Sequence, residues 1–252
     1  MATKPATAAP VTSHFARELD DLRAQLAAMG RLVEERVRRA VRSLEERDAA
    51  LARAVVDGDR EVNEVHVAID GRCFTLLALH QPMAGDLRTI VAGVKMASDL
   101  ERIGDLAVNI AEAVERYLPQ PPVSTLPGIE RMAELAAEML HDALEAFAAR
   151  DAAAAQRVLD RDDALDELKV KTFREFVDTI RRDVQVSESA INLILVSRHL
   201  ERVGDHATNI AEDVIFVVTA RDVRHPGSSS RPAASGAGLT LEQAAPEPPN
   251  RT

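Results

Sequence analysis

The sequence predicts an all-α fold of six helices, arranged as two pseudo-symmetric three-helix bundles. An internal repeat is the main evidence: LERIGDLAVNIAE at residues 100–112 returns as LERVGDHATNIAE at residues 200–212, with ten of thirteen positions identical. Composition agrees, because hydrophobic residues make up 46% of the 252-residue chain and aromatic residues only 3%. A core built from Ala, Leu, Val and Ile suits closely packed helices better than sheets.

The repeat extends upstream of this motif and defines a structural unit of roughly 100 residues. Residues 40–48 align with 143–151, and residues 56–64 align with 159–167, both at an offset of 103. The motif itself repeats at an offset of 100, so the first copy carries an extra turn, which we assign to residues 81–86. The chain therefore holds two copies of one unit.

The first unit, residues 13–117, is predicted to contain three helices. Apolar residues recur at spacings of three and four through residues 13–47, the pattern of an amphipathic helix. A second helix spans residues 48–80 and ends before Pro82, because proline removes a backbone donor and clashes with the preceding turn. A third helix runs from Asp86, its predicted N-cap, to the end of the unit.

The second unit, residues 127–221, repeats this arrangement after a proline-rich linker at residues 118–126. Its helices are predicted over residues 127–150, 151–183 and 187–220. Pro127 suits the first turn of a helix, where its missing N–H costs nothing. The two tails, residues 1–12 and 222–252, lack the apolar content that would offset the entropy of ordering, and we expect them to be disordered.

Composition and charge narrow the classes of function. The net charge of −10 argues against nucleic acid as the main partner, because phosphate neutralisation needs a basic surface. The single cysteine, Cys73, cannot form an internal disulfide, which indicates the cytoplasm, and its apolar neighbours predict a core position. Neither a signal sequence nor a stretch of about 20 apolar residues is present, so any membrane association is expected to run through partner proteins.

A narrow acidic stripe lies on the flank of the third helix in each unit. Glu101 and Asp105 are four residues apart, as are Glu201 and Asp205, and such pairs repel each other on a helix. We expect a cation to compensate this repulsion. Nearby arginines can supply it, and the candidates are Arg88, Arg102, Arg198 and Arg202. A metal ion held by carboxylate oxygens is the alternative, and spacing alone does not decide between the two.

A second pair of acids favours the metal interpretation. Asp162 and Asp166 are four residues apart on the helix before the acidic stripe of the second unit. If that helix faces the stripe, four carboxylates meet, and such clusters suit hard cations such as Mg²⁺, Mn²⁺ or Fe³⁺. The equivalent residues of the first unit are Asp59 and Asn63, so the first cluster has one carboxylate fewer and is predicted to bind a cation less tightly.

Other motifs add little chemistry. Gly104 and Gly204 lie inside helices, where glycine costs about 1 kcal/mol relative to alanine, and close helix packing explains them best. The sequence has no phosphate-binding loop, no dinucleotide-binding fingerprint, no nucleophile elbow and no H-E-x-x-H motif. Oxygen-activating di-iron chemistry is disfavoured too, because the stripes carry Glu-x-x-x-Asp where ferritin-like sites need Glu-x-x-His.

These motifs together resemble the PhoU family of phosphate-signalling regulators, over about residues 13–220. The doubled LER-x-GD-x-x-x-NIAE motif, combined with LALHQPMAGDLRTI at residues 77–90, carries the resemblance. It implies metal clusters on the bundle surface, containing Fe, Mn, Mg or Zn. The predicted ligands are Glu101, Asp105 and Asp59 in the first unit, and Glu201, Asp205, Asp162 and Asp166 in the second. Asn63 departs from the acid expected there, which weakens the case for the first cluster.

The resemblance also implies a regulatory function without chemical turnover. Such proteins act as adaptors between the ATPase of the high-affinity phosphate ABC transporter and a membrane sensor histidine kinase. They restrain phosphate uptake and keep the phosphate-starvation response off when phosphate is plentiful, and a homodimer is common. Two alternatives stay open: a carboxylate-bridged metallohydrolase acting on phosphate compounds, and a helical scaffold without metal.

Overall fold

The computed structural model describes residues 11–123 and 127–223, and the regular structure within these ranges is helical. Eight α-helices and one short 3₁₀ turn at Val184–Val186 follow in order. They are α1 (Val11–Glu45), α2 (Ala49–Asp57), α3 (Asp59–His80), α4 (Ala84–Tyr117), α5 (Pro127–Ala149), α6 (Ala152–Leu159), α7 (Asp162–Arg182) and α8 (Ser187–Thr219).

The helices form the two predicted bundles. Helices α1 to α4 pack together as the first bundle and α5 to α8 as the second, and the third long helix of each, α4 and α8, packs against the other along its length. The apolar residues that recur at spacings of three and four along α4 are fully buried, as are their counterparts on α8. On α4 they are Met96, Leu100, Ile103, Ala107, Ile110 and Val114. The all-α fold of two pseudo-symmetric bundles is therefore confirmed.

The second predicted helix of each unit is broken, in contrast to the single continuous helix predicted from the sequence. Residues 48–80 form α2 and α3 with a break at Gly58, and residues 151–183 form α6 and α7 with a break at the equivalent Arg161. At the first break, the guanidinium of Arg36 on α1 donates hydrogen bonds to the carbonyl oxygens of Val55 and Gly58. These carbonyls then no longer need amide donors from the next helical turn.

The turn into each broken helix is built the same way in both units. Asp48 and Asp151 are N-caps whose Oδ1 atoms accept hydrogen bonds from backbone amides of the first turn, at 2.9 and 3.0 Å. The residues before them, Arg47 and Arg150, have φ angles of 53° and 54°. This repeated left-handed turn is independent evidence that the units share one local structure.

The start of α4 differs from the prediction. Helix α4 begins at Ala84 with Met83 as N-cap residue, so the predicted capping role of Asp86 is wrong. Asp86 lies instead in the first turn, where its charge interacts favourably with the helix dipole. The predicted tails lie mostly outside the described residues, although residues 11–12 belong to α1. Residues 118–123 of the predicted linker are described and are not helical.

None of the described helices is both long enough and apolar enough to cross a membrane. Cys73 is fully buried in the first bundle, as predicted, and burial raises the pKa of its thiol to about 11. A thiol in this state is a packing group and not a nucleophile.

Candidate functional site

The seven predicted metal-binding acids lie on two equivalent helix pairs, α3 with α4 and α7 with α8. Asp59 and Asp162 are the first residues of α3 and α7, directly after the breaks in the second helices. Each break thus sets a carboxylate at a helix N-terminus, where the helix dipole favours negative charge. The paired acids of the third helices lie midway along α4 and α8.

The structure brings the four acids of the second unit into one electrostatic cluster. Burial raises the pKa of Asp162, and the charges of Asp166, Asp163 and Glu201 raise it further. Burial also raises the pKa of Asp205, to about 6, with added contributions from Glu201, Asp162 and Asp166. The charge of one acid shifts the pKa of another only when the two are close. The faces of α7 and α8 that carry these acids therefore lie against each other in the fold.

Lys169, which was not among the cations predicted from the sequence, supplies the positive charge in this second cluster. Its Nζ lies 2.5 Å from Oε1 of Glu201 and 3.6 Å from Oδ1 of Asp166. The hydrogen bond to Glu201 is the main reason that the pKa of Lys169 is raised. Lys169 follows Asp166 by three residues and Asp162 by seven, so helical spacing alone would have placed it on the same face.

The first cluster is compensated from within its own helices. Nδ2 of Asn63 donates a hydrogen bond to Oδ2 of Asp59 at 2.8 Å. Arg102 reaches both acids of α4, with Nε 3.5 Å from Glu101 Oε2 and Nη1 3.3 Å from Asp105 Oδ2. Of the four arginines considered from the sequence, Arg102 is the one seen to pair with these acids.

The side chains of the second cluster are of the type that binds a hard cation, but their positions do not form a site for one. Four carboxylates offer the oxygen ligands that such cations prefer. Across residues 11–123 and 127–223, however, no group of three or more acidic, histidine or cysteine side chains has a geometry that holds a metal ion. Lys169 occupies the cationic position beside Glu201. A metal ion would have to displace its ammonium group, so metal binding stays a prediction for both clusters.

The two mid-helix glycines lie beside the clusters and allow close packing, as predicted. A Cβ atom at Gly104 would lie 3.1 Å from Cγ1 of Val62, and one at Gly204 would lie 2.2 Å from Cδ2 of Leu165. Val62 and Leu165 are equivalent residues of α3 and α7. Both glycines therefore let the second and third helices approach at the level of the acids.

The two histidines of α8 serve the contact between the bundles. Nδ1 of His206 lies 2.8 Å from Oδ1 of Asp99 on α4, and Asn209 donates to the same oxygen at 3.2 Å. The pKa of His199 is lowered by burial and by Arg202 and Arg198. His206 is close enough to lower the pKa of Asp205 slightly, but its hydrogen bond is made across the bundle interface. Sequence reasoning missed this because the first unit has no histidine at either position.

Comparison with known proteins places both units in one family. A family model described as the PhoU domain matches residues 26–114 and 129–214. The phosphate-specific transport system accessory protein PhoU homolog of Pseudomonas aeruginosa is 38% identical over 218 residues, covering 86% of this chain and 90% of that protein. Its counterpart from Escherichia coli K12 is 33% identical over 217 residues, covering 86% of this chain and 90% of that protein.

Solved structures agree with the sequence comparison. The crystal structure of PhoU from Pseudomonas aeruginosa has a TM-score of 0.79 at 37% identity, covering 82% of this chain and all of that one. The phosphate transport system regulatory protein PhoU from Streptococcus pneumoniae has a TM-score of 0.76 at 29% identity, covering 83% of this chain and 99% of that one. Because both repeats match the family model and the relatives align over most of the chain, the protein belongs to the PhoU family.

Proposed function

We propose that the protein is a regulatory accessory protein of phosphate transport. In this role it restrains phosphate uptake and holds the phosphate-starvation response off when phosphate is plentiful. It does so as an adaptor between the ATPase of the phosphate transporter and the cytoplasmic region of a sensor histidine kinase. The observation that carries the proposal is the match of both repeats to the family model, together with relatives named for the phosphate-specific transport system.

The geometry of the acidic clusters supports docking over catalysis. A metallohydrolase needs an open metal position and a positioned base in a pocket that excludes water. Asp166 and Asp205 are exposed on the flank of the second bundle, and Lys169 is already paired with Glu201. An open, charged helix face of this kind suits recognition by another protein.

A reporter of the phosphate-starvation response tests the regulatory role. In cells that lack the gene, we expect the reporter to be active in phosphate-rich medium and phosphate uptake to rise. Complementation with the wild-type chain should restore both to the repressed state. A reporter that stays silent in rich phosphate without the gene would refute the proposal.

We further propose that the second cluster binds a hard cation such as Mn²⁺ or Mg²⁺ when the ammonium group of Lys169 is displaced. Calorimetric titration of chelator-treated protein with Mn²⁺ should detect one dominant site. Glu201→Gln/Asp205→Asn should abolish that site, whereas the matched variant Glu101→Gln/Asp105→Asn should keep it. Equal Mn²⁺ binding by wild type and both variants would exclude the cluster as the site.

A homodimer completes the proposal. We expect light scattering on the full chain, coupled to size-exclusion chromatography, to give a mass near twice 27.4 kDa. A mass of one chain over the micromolar range would contradict it.

A further inference from the structure

A groove of about 660 Å³ runs between α7 and α8 on the surface of the second bundle. Glu201 and Asp205 of the acidic cluster form part of one wall. The other lining residues are exposed apolar side chains and basic side chains. The acidic cluster does not account for this combination. The volume lies within the range of about 300–1,000 Å³ that is typical of ligand sites.

The apolar part of the groove is open to solvent. Val170 and Phe173 on α7 line it and are 45% and 48% exposed, although both are large apolar residues. They are three residues apart, so they are neighbours on the same face of the helix. Ile194 on α8 lines the groove with them and is half-buried. Exposed apolar residues that are contiguous, with a polar rim around them, are typical of sites that bind another protein.

The basic part consists of two guanidinium groups that have no acidic partner among the residues that the structure describes. Arg198 and Arg202 line the groove, are both exposed, and are four residues apart on α8. Like charges at this spacing repel each other. Neither arginine forms a hydrogen bond or an ion pair with another residue of the described ranges. Lys169, which also lines the groove, is already bonded to Glu201.

The equivalent face of the first bundle lacks this feature. Ser98 stands at the position of Arg198. Arg102, which corresponds to Arg202, is held by Glu101 and Asp105. Both bundles expose an apolar residue at the equivalent positions Val67 and Val170. The two guanidinium groups thus distinguish the second groove from its counterpart, and so does Phe173, whose equivalent in the first bundle is Asp70.

We propose that this groove binds an amphipathic helix of a partner protein whose apolar face is flanked by acidic side chains. The inference rests on the proposed function, since it names the docking face of an adaptor and the chemistry of the segment that docks. Apolar anchors of the partner helix fill the space over Val170 and Phe173, as in other helix-in-groove complexes. Its carboxylates pair with Arg198 and Arg202.

Charge complementarity selects this occupant. The chain carries a net charge of −10, so an acidic segment is repelled by most of its surface. The groove lining differs, because its basic groups Lys169, Arg198 and Arg202 outnumber its two acids, Glu201 and Asp205. Such an arrangement fixes where the segment docks. The same net charge opposes attachment to an anionic membrane, which would have to approach the whole acidic face of the bundle.

A peptide array tests the chemistry of the partner. Overlapping 20-residue peptides that tile the transporter ATPase and the cytoplasmic region of the kinase are probed with the full-length chain. We expect the wild type and Arg102→Ala to bind the same few peptides, and these to be acidic and amphipathic. Arg198→Ala/Arg202→Ala should bind them roughly tenfold more weakly, with Kd measured by fluorescence anisotropy.

Several outcomes would overturn the inference. They are binding that survives in the double arginine variant, binding only to basic or uncharged peptides, and no binding to any peptide. A fourth is wild-type binding to vesicles containing 30% phosphatidylserine that is lost in the double variant, since this would assign the arginines to a lipid surface. Circular dichroism of each variant confirms that the fold is retained.

The reporter assay separates this inference from the proposed function. If the wild-type chain fails to restore repression in cells that lack the gene, the regulatory role fails whatever the groove does. If the wild type and Arg102→Ala restore repression while Arg198→Ala/Arg202→Ala does not, both stand. If the double arginine variant restores repression as fully as the wild type, the groove inference alone fails.

Discussion

Removing the charge of Asp205 should stabilise the metal-free protein. Burial and the neighbouring acids raise the pKa of this carboxyl from 3.8 to about 6. Between these two pH values the folded state binds more protons than the unfolded state, so the free energy of unfolding falls as pH rises from about 4 to about 6. Above pH 6 the protein keeps the full cost of an ionised Asp205.

The size of the effect follows from the pKa. The rise corresponds to about 3 kcal/mol if solvent is ignored, but Asp205 is exposed, and screening reduces this to about 1 kcal/mol. We therefore expect Asp205→Asn to raise the free energy of unfolding by about 1 kcal/mol at pH 8 and to leave it unchanged at pH 4. Urea denaturation in the presence of a chelator measures both values.

The equivalent residue of the first bundle provides the control. Asp105 is paired with Arg102 at 3.3 Å, so Asp105→Asn removes an attraction and should not stabilise the protein at pH 8. If Asp205→Asn destabilises the protein at pH 8, or changes stability equally at pH 4 and pH 8, the account of mutual repulsion in the second cluster is wrong.

Two further variants probe the same region. Lys169→Met should destabilise the protein by about 1–2 kcal/mol at pH 8, because it leaves Glu201, which is only 15% exposed, without its partner. In urea denaturation, adding Glu201→Gln should recover most of this loss. Failure to recover it would show that the two residues are not coupled. Gly204→Ala should be about 1 kcal/mol less stable than Gly104→Ala in the same assay. The new Cβ would lie 2.2 Å from Leu165 in the first variant and 3.1 Å from Val62 in the second. Equal stability of the two variants would mean that the Leu165 side chain moves away freely.

Much of the fold was predictable because one periodic signal determines it. The spacing of apolar residues fixes which face of each helix is buried, and the repeat then transfers the result to the second unit. Met96, Leu100 and Ile103, which follow this spacing along α4, are fully buried. A helix end that depends on one residue was also predicted correctly: α3 ends before Pro82.

The features that were missed depend on residues distant in sequence. The break at Gly58 is stabilised by Arg36, which lies on a different helix. The hydrogen bond between His206 and Asp99 joins residues 107 positions apart. Spacing along one helix carries no information about such contacts.

In the acidic clusters, too, spacing along one helix was predictable and contacts between helices were not. Sequence spacing places Asp162 and Asp166 on one face of α7, and the fold brings that face near Asp205 of α8. That these acids bind a metal ion stays a prediction. The cation that compensates Glu201 was sought among arginines, whereas the structure supplies Lys169. The choice between the two depends on side-chain reach between α7 and α8, which the sequence does not state.

The most direct test of the regulatory account is the activity of a phosphate-starvation reporter in phosphate-rich medium. We predict an active reporter in cells that lack the gene, a silent one after complementation with the wild-type chain, and an active one after complementation with Glu201→Gln/Asp205→Asn. A reporter that is silent in all three strains would contradict the account.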